Sequence, residues 1–265
     1  MTARRILSEA DKDPREALSP SIAKELVAKS PAHARHMLDH GKLTTYQMDV
    51  GSALHSMLLG VGKPIWTVAQ SSWRTKKAQE ERDMAHASGR APMLEHDVER
   101  LAEAAAVLGA KLAACGVDLS GDAEVKIEWD TGDGVLCRGV PDCVTGERIY
   151  DLKVGEYVAP TDAGRKIYTM GYDIQGAAYT EAVCELEPDL DGRTTFTLVF
   201  VEPSPPYAVT IVELDGVFEE LGRARWHRAK RLWSVCQESG EWADYSDHVV
   251  RAEPPRWALF AEGMA

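Results

Sequence analysis

The sequence predicts a single α/β domain in which one central mixed β-sheet is flanked by helices. Helical patterning fills the first third of the 265-residue chain, including an Ala-, Leu- and Glu-rich stretch over about residues 94–115. The period then changes, because in "EVKIEWD" the apolar residues Val125, Ile127 and Trp129 alternate with charged ones. Helices and strands that follow one another in this way favour a sheet with helices on its faces.

Each expected element follows from a local signal. The first helix begins after "LSPS", where Ser19 can cap the helix and Pro20 fits its first turn. The later signals predict helices over about 46–59 and 94–115, strands at 124–130, "GVLCRGVPD" and "RIYDLKV", a helix over about 172–186, strands at "TTFTLVFVE" and "YAVTIVEL", and a helix over about 217–238. We expect one domain with a helical part over about 18–115, a core over about 120–240 and an irregular tail over 241–265.

Composition excludes several classes of protein. The formal net charge is −12, so a nucleic-acid site would need basic patches within an acidic background. The five cysteines include no CxxC pair, which favours reduced thiols and predicts neither a zinc ribbon nor an iron–sulfur cluster. No apolar run approaches the ~20 residues of a membrane span. The segment "MTARRILSEADKDPREA" turns acidic where a signal peptide needs apolar residues, so we expect a cytoplasmic protein.

The segment "CRGVPDCVTGERIYDLKV" carries the strongest functional signal. If Thr145-Gly146 forms a two-residue turn, Asp142 faces Ile149 across the hairpin. The strand period of two keeps Asp151 and Lys153 on the same face as Ile149, so both acids and the lysine project together. A three-residue turn would place Asp142 on the other face.

Two interpretations of this hairpin remain open from the residues alone. Because neighbouring carboxylates repel each other, Asp142 and Asp151 are either the solvated ends of a polar strand face or the oxygen ligands of Mg²⁺ or Mn²⁺. In the second case Leu152 can add its backbone carbonyl as a ligand. Lys153 can then hold a water or stabilise charge that develops at a phosphorus atom.

Several motifs in this chain resemble a known nuclease family. "GVPD" followed by "YDLKV" resembles the PD-(D/E)xK signature, and the surrounding residues resemble the RecE (exonuclease VIII) branch, which is RecB-like and lambda-exonuclease-like. The agreement extends to "LSPSIAKELVAKSPAHARHML", to the GxxxH motif in "GSALHSMLL", to "WRTKKAQEERDMAHASGRAPML" and to the QxxxY motif "QGAAY". The resemblance implies a restriction-endonuclease-like core.

The resemblance also implies a set of metal ligands. They are His55, Asp142, Asp151 and the Leu152 carbonyl, and Glu124 could support the same metal or bind a second one. Gly51 lies four residues before the histidine on one helix face, which would leave space for a metal. Without the resemblance, the histidine is equally a half-buried residue of an Ala- and Leu-rich helix and the glutamate part of a solvated strand face.

Three further residues complete the implied catalytic set with the two aspartates. Lys153 positions a water, and Gln175 and Tyr179 share a helix face from which they can bind phosphate oxygens or the terminal nucleotide. Taken without the resemblance, the glutamine and tyrosine are ordinary surface residues.

Two basic clusters are candidates for DNA binding. The first consists of Arg74, Lys76 and Lys77, and the second lies within "RARWHRAKR", from which we select Arg223, Arg225 and Arg228. The alternative for the second cluster is a solvated helix end.

The resemblance implies a Mg²⁺- or Mn²⁺-dependent exonuclease that degrades double-stranded DNA from its ends, 5′ to 3′, and leaves 3′ single strands for recombination. It further implies a ring-shaped homo-oligomer and a single-strand annealing protein as partner, with no membrane association. The alternatives are an endonuclease of the same fold and a catalytically silent DNA-binding or scaffold protein.

Overall fold

The computed structural model describes residues 4–5, 16–42, 44–155 and 159–264. The helices are α1 (Pro20–Ala28), α2 (Pro31–His40), α3 (Tyr46–Leu59), α4 (Lys76–Ala87), α5 (Glu95–Ala114), α6 (Ala163–Met170), α7 (Tyr172–Leu186), α8 (Gly216–Ser239) and α9 (Arg256–Ala261). The strands are β1 (Arg4–Arg5), β2 (Ile65–Val68), β3 (Ala91–Leu94), β4 (Asp122–Ala123), β5 (Ile127–Trp129), β6 (Cys137–Gly139), β7 (Cys143–Thr145), β8 (Arg148–Val154), β9 (Thr195–Val201) and β10 (Val209–Glu213).

A five-stranded mixed sheet forms the centre of the domain, as the sequence predicts. Its order is β10-β9-β8-β7-β4. The central pair β8 and β9 is parallel, and the remaining pairs are antiparallel. Two smaller sheets accompany it, β1-β5-β6 and the parallel pair β2-β3.

Both faces of the central sheet are covered by helices, because successive apolar residues of its middle strands point to opposite faces. Ile149 and Phe200 belong to the core under α1, α7 and α8. Tyr150, Leu152 and Val199 belong to the core under α3 and α5. This period of two therefore decides which side chains of β8 meet α7 and which meet α3.

The helix signals of the sequence hold in detail. The hydroxyl of Ser19 accepts a hydrogen bond from the Ile22 N–H at 3.4 Å and caps α1. The hydroxyl of Thr45 caps α3 in the same way, and Gly60, with φ of 71°, ends that helix. In the tail, however, residues expected to be irregular form the short helix α9.

The strand expected over 124–130 differs from the prediction. β5 is shorter, all three of its residues are buried, and it pairs with β1 and β6 outside the central sheet. Ile127 and Trp129 belong to the core under α1, α7 and α8, and Glu128 between them is only 2% exposed, so the alternative of a solvated face does not hold at this residue. Burial of both faces depends on packing outside the strand, which alternation within one segment cannot reveal.

The hairpin turn also differs from the prediction. It lies one residue later, and the pairing across the hairpin is shifted by two positions. Thr145 pairs with Arg148, so the turn is Gly146-Glu147, with the glycine at φ of 57°. Continued by one residue, this register sets Asp142 opposite Asp151 instead of Ile149. A shift of two preserves parity, so both acids stay on one side of the hairpin.

Within the described ranges, no helix combines the length and the apolar character needed to cross a bilayer.

Candidate active site

His55, Glu124 and Asp142 form a three-residue cluster at the start of β7. His55 Nε2 lies 3.0 Å from Asp142 Oδ2, and His55 Nδ1 lies 3.2 Å from Glu124 Oε1. One ligand atom from each residue lies within 4.8 Å of the other two, and all three side chains are half-buried. Two carboxylates and one imidazole at this separation are donors that suit Mg²⁺ or, with its tolerance for nitrogen, Mn²⁺. The residues present therefore fit a divalent metal.

The packing of α3 against β8 places the imidazole. A Cβ added at Gly51 would lie 3.8 Å from Cβ of Val154, near the end of β8. The glycine therefore packs beside the strand, and the space for a metal that the sequence suggested stays a prediction. His55, one turn further along α3, reaches the acidic cluster.

An unusual backbone conformation places the Glu124 carboxylate. Glu124 has φ of 54°, a left-handed conformation that costs a non-glycine residue about 1–3 kcal/mol. Its N–H donates to the carbonyl of Asp142 at 3.0 Å, which continues the pairing of β4 with β7. Strained residues of this kind concentrate at functional sites, and this one contacts the His55 ring.

Asp142 connects this cluster to β8, one of the two parallel strands at the centre of the sheet. Its Oδ2 accepts the backbone N–H of Leu152 at 2.6 Å, besides its contact with His55. The Leu152 side chain is buried in the core under α3 and α5. The carboxylate is thus fixed by a main-chain donor of β8, between the neighbours Asp151 and Lys153.

A second polar group adjoins the first on the α7 side of the sheet. Asp151, only 1% exposed, forms an ion pair through Oδ2 with the ammonium of Lys153. Gln175 of α7 bridges both, because its Nε2 donates to Asp151 Oδ1 at 2.8 Å and its Oε1 accepts from Lys153 Nζ at 3.0 Å. Gln175 Nε2 also donates to the Tyr179 hydroxyl at 3.1 Å, which fixes the orientation of the amide.

Tyr179 is buried, with 6% of its surface exposed. A Cβ added at Gly139 would lie 2.9 Å from Cε1 of Tyr179, so the glycine allows the ring to pack against β6. Gln175 contacts both Asp151 and Lys153, and Tyr179 contacts Gln175. The contact of the QxxxY pair with DNA stays a prediction.

Charge and burial shift the pKa values of these groups. Burial raises the pKa of Asp151 to about 6, against the lowering effect of the Lys153 charge and with a further rise from Asp142. Burial lowers the pKa of Lys153, but the charges of Asp151 and Asp142 outweigh it and raise the net pKa. Burial likewise lowers the pKa of His55, and the hydrogen bond and charge of Asp142 then raise it above the usual value. Anions therefore dominate the site, which is the condition that a divalent cation relieves.

The structure brings some of the predicted metal ligands together and leaves others apart. His55 and Asp142 come together, and Glu124, predicted to support the same metal or to bind a second one, joins them directly. Asp151 lies beside this group and is engaged by Lys153; its Oδ2 makes that ion pair but accepts no hydrogen bond within the part of the chain described. That oxygen is the one through which Asp151 could reach a metal. The Leu152 carbonyl stays a prediction.

The first basic cluster lies at the start of α4. Arg74, Lys76 and Lys77 are all exposed. Lys76 is 3.6 Å from Glu80 one turn later, an exposed pair of little energetic weight.

The second basic cluster, on α8, divides into two kinds of residue. Arg223 and Arg228 are exposed. Arg225 instead lies 2.7 Å from the fully buried Asp173, with its guanidinium 4.4 Å from the Tyr168 ring centroid. Arg225 therefore holds α8 against the start of α7, and its charge is not offered to a ligand at the surface.

The sequence analysis did not identify two residues that border the site, Lys24 of α1 and Tyr172 at the start of α7. The ammonium groups of Lys24 and of Lys153 both lie over the Tyr172 ring. No local pattern identifies such a contact, because it depends on how α1 packs against α7.

The sheet order, the helices on both faces and the acids at Asp142 and Asp151 define a PDDEXK-like nuclease fold. A family described as "PDDEXK-like domain of unknown function (DUF3799)" matches residues 19–251. The chain belongs to this family.

Two solved structures resemble this chain. One is a protein from Eubacterium rectale that is provisionally named an exonuclease, with 16% identity, coverage of 97% of this chain and 98% of that chain, and a TM-score of 0.64. The other is a phage-related exonuclease from Haemophilus somnus 129PT, with 12% identity, coverage of 85% and 96%, and a TM-score of 0.37. The first likeness concerns the fold. A search of curated proteins found no significant match.

Proposed function

We propose that this protein is a divalent-metal-dependent nuclease that hydrolyses phosphodiester bonds of DNA. One observation carries the proposal: the group of His55, Glu124 and Asp142, with ligand atoms within 4.8 Å, adjoins the ion pair of Asp151 with Lys153. Two carboxylates that meet at one imidazole beside a third, buried carboxylate repel one another, and a divalent cation relieves that repulsion.

The roles of the side chains follow from their contacts. His55, Asp142 and Glu124 would hold the ion, with Asp151 and the Leu152 carbonyl as further ligands. A bound Mg²⁺ or Mn²⁺ supplies Lewis acidity and lowers the pKa of water. Lys153, held by Asp151 and Gln175, positions the attacking water and stabilises negative charge on the phosphoryl oxygens. The water attacks phosphorus in line as the bond to the leaving oxygen breaks.

The finer proposal is an exonuclease that acts in the cytoplasm on double-stranded DNA ends, 5′ to 3′, and leaves 3′ single strands for recombination. The sequence resemblance supports it, and the Eubacterium rectale protein of the same fold carries an exonuclease name. The exposed cations Arg74, Lys76, Lys77, Arg223 and Arg228 are the proposed DNA contacts. A ring-shaped homo-oligomer and an annealing protein as partner belong to the same proposal.

Linear and covalently closed duplexes of one sequence test the proposed activity. With Mg²⁺, the exonuclease should degrade the linear form, leave the closed form intact and stop when a chelator is added. Cleavage of the closed form would identify an endonuclease of this fold. Binding without cleavage of either form, with Mg²⁺ or Mn²⁺, would identify a silent DNA-binding protein and refute the proposal.

A further inference from the structure

Lys24 and Lys153 face the same aromatic ring at the edge of the site. The ammonium of Lys24, on α1, lies 4.9 Å from the Tyr172 ring centroid, and the ammonium of Lys153 lies 4.6 Å from it. Cation–π contact stabilises an ammonium by only ~0.5–2 kcal/mol, so the ring does not replace a counter-ion. Two like charges near one ring repel each other, and of the two only Lys153 is in an ion pair, with Asp151.

Lys24 has no carboxylate partner among the residues that the structure describes. It is half-buried, and a Cβ added at Gly171 would lie 2.8 Å from its Cγ, so its stem is enclosed by the turn between α6 and α7. Burial and the nearby Lys153 charge lower the pKa of Lys24 to about 8, and the charge of Asp151 acts in the opposite direction. The shared Tyr172 ring places the Lys24 ammonium on the side of the candidate active site.

Other lysines of the chain show how a structural lysine is satisfied here. Lys230 is buried, and its ammonium contacts Asp133 at 2.8 Å, Glu181 at 3.2 Å and Thr131 at 3.1 Å. Lys29, at the end of α1, pairs with Glu25 at 2.8 Å. Lys24 differs from both, because its charge is partly desolvated and it forms no ion pair with an acid among the described residues. An anion from outside the protein would relieve that cost.

We propose that Lys24 is a substrate-binding residue that holds a phosphate group of the DNA beside the scissile phosphate. The inference rests on the nuclease proposed above and assigns one contact of its substrate. Lys153 meets the scissile phosphate, and Lys24, on the same ring, meets a neighbouring one, because a strand carries one charge per ~3.4 Å of helix axis. Tyr172 acts as the spacer that keeps the two ammonium groups apart.

The phosphate that Lys24 meets is either an internal diester or a terminal monoester at the strand end. Both are oxyanions that accept charge-assisted hydrogen bonds. The terminal monoester carries more charge than a diester. If Lys24 binds it, a duplex with a 5′-phosphate should bind more tightly than the same duplex with a 5′-hydroxyl.

The test compares Lys24→Met, Lys24→Arg and the control Lys29→Met with the wild type. Cleavage kinetics with Mg²⁺ on both kinds of duplex end give KM and kcat, and anisotropy with labelled duplex in chelator gives Kd. We expect Lys24→Met to raise KM and Kd ~10-fold or more, the scale for hydrogen bonds to charged groups. We expect kcat to change by less than about threefold, since KM reports binding shared by ground and transition states. Lys24→Arg should restore most of the affinity, and Lys29→Met should match the wild type.

Thermal unfolding separates this role from a structural one. Removal of an unneutralised, partly buried charge should leave the melting temperature of Lys24→Met unchanged or higher. A loss confined to the 5′-phosphorylated duplex identifies the terminal phosphate, and an equal loss on both ends identifies an internal one.

Three results would overturn the inference: an unchanged KM and Kd in Lys24→Met, an equal effect in Lys29→Met, or a lowered melting temperature together with the weaker binding. If the wild type cleaves and Lys24→Met behaves normally, only this inference fails. If the wild type does not cleave, the proposed function fails and the Kd comparison still decides whether Lys24 binds DNA.

Discussion

The Nε2 atom of His55 lies 3.0 Å from the Oδ2 atom of Asp142, and this contact joins α3 to the hairpin of β7 and β8. The second ring nitrogen faces Glu124 at 3.2 Å. With a carboxylate at each nitrogen, the imidazole is held in one plane. The contact brings together a helix and a strand end that the sequence alone relates only through separate motifs.

Removal of one member of the buried ion pair should abolish cleavage and cost more stability than removal of both. Asp151 is buried and paired with Lys153, so Lys153→Met leaves an uncompensated carboxylate. Breaking a buried pair costs ~3–5 kcal/mol, whereas replacing both members costs much less. We expect Lys153→Met, Asp151→Asn and the double variant to lose at least ~10³-fold in kcat. Urea unfolding should show the double variant to be more stable than Lys153→Met, and additive losses would contradict a direct pair.

Gln175 should act on turnover more than on binding. Its amide bridges Asp151 and Lys153, so Gln175→Leu should lower kcat by ~10–100-fold and leave KM within about threefold. Gln175→Glu should be worse, because a carboxylate would face that of Asp151. Tyr179→Phe removes only the hydroxyl that orients the amide and should be mildest. A KM effect larger than the kcat effect would indicate that the glutamine contacts DNA instead.

Glu124 should affect metal dependence more than substrate binding. Its carboxylate lies in the cluster with His55 and Asp142, and Glu124→Gln keeps the size of the side chain while removing its charge. We expect the Mg²⁺ concentration at half-maximal activity to rise ~10-fold, with partial recovery at high Mg²⁺. The exposed Glu103 of α5 provides a matched control as Glu103→Gln. An unchanged metal titration in Glu124→Gln would exclude the glutamate from the metal site.

Arg225 and Arg228, three residues apart on α8, should have opposite phenotypes. Arg225→Met leaves the fully buried Asp173 unpaired and should destabilise the protein by ~3–5 kcal/mol in denaturant unfolding. Arg228→Met removes an exposed cation, so stability should change by less than ~0.5 kcal/mol. Its DNA affinity should fall, with a shallower dependence on salt. Equal stability of the two variants would mean that the contact with Asp173 contributes nothing.

The sequence predicts the bounds of α3, α5, α7 and α8 to within one residue because helix signals are local. Ser19, expected as a cap, lies where α1 begins. The common face of Asp142 and Asp151 is also predictable, since the strand period alone decides it. The predicted turn was wrong by one residue, which shifts the pairing across the hairpin by two, and the site kept its geometry only because an even shift preserves the face.

Properties that depend on distant packing were not predictable. Glu128 is buried through packing outside its own strand, and Arg225 forms an ion pair with Asp173, a buried acid on another helix. Glu124 lies in a left-handed conformation instead of a regular strand, and that conformation directs it toward His55. Lys24 reaches the site through the packing of α1, which no motif spacing encodes.

The most direct test of the central claim is Mg²⁺-dependent cleavage of linear duplex DNA by the wild type and by Asp142→Asn. The amide oxygen of the variant can still accept the Leu152 N–H, so circular dichroism should show a folded protein. The account predicts that the wild type cleaves, that a chelator stops it, and that Asp142→Asn is slower by at least ~10³-fold. Cleavage by Asp142→Asn at the wild-type rate, or wild-type cleavage that persists in chelator, would contradict it.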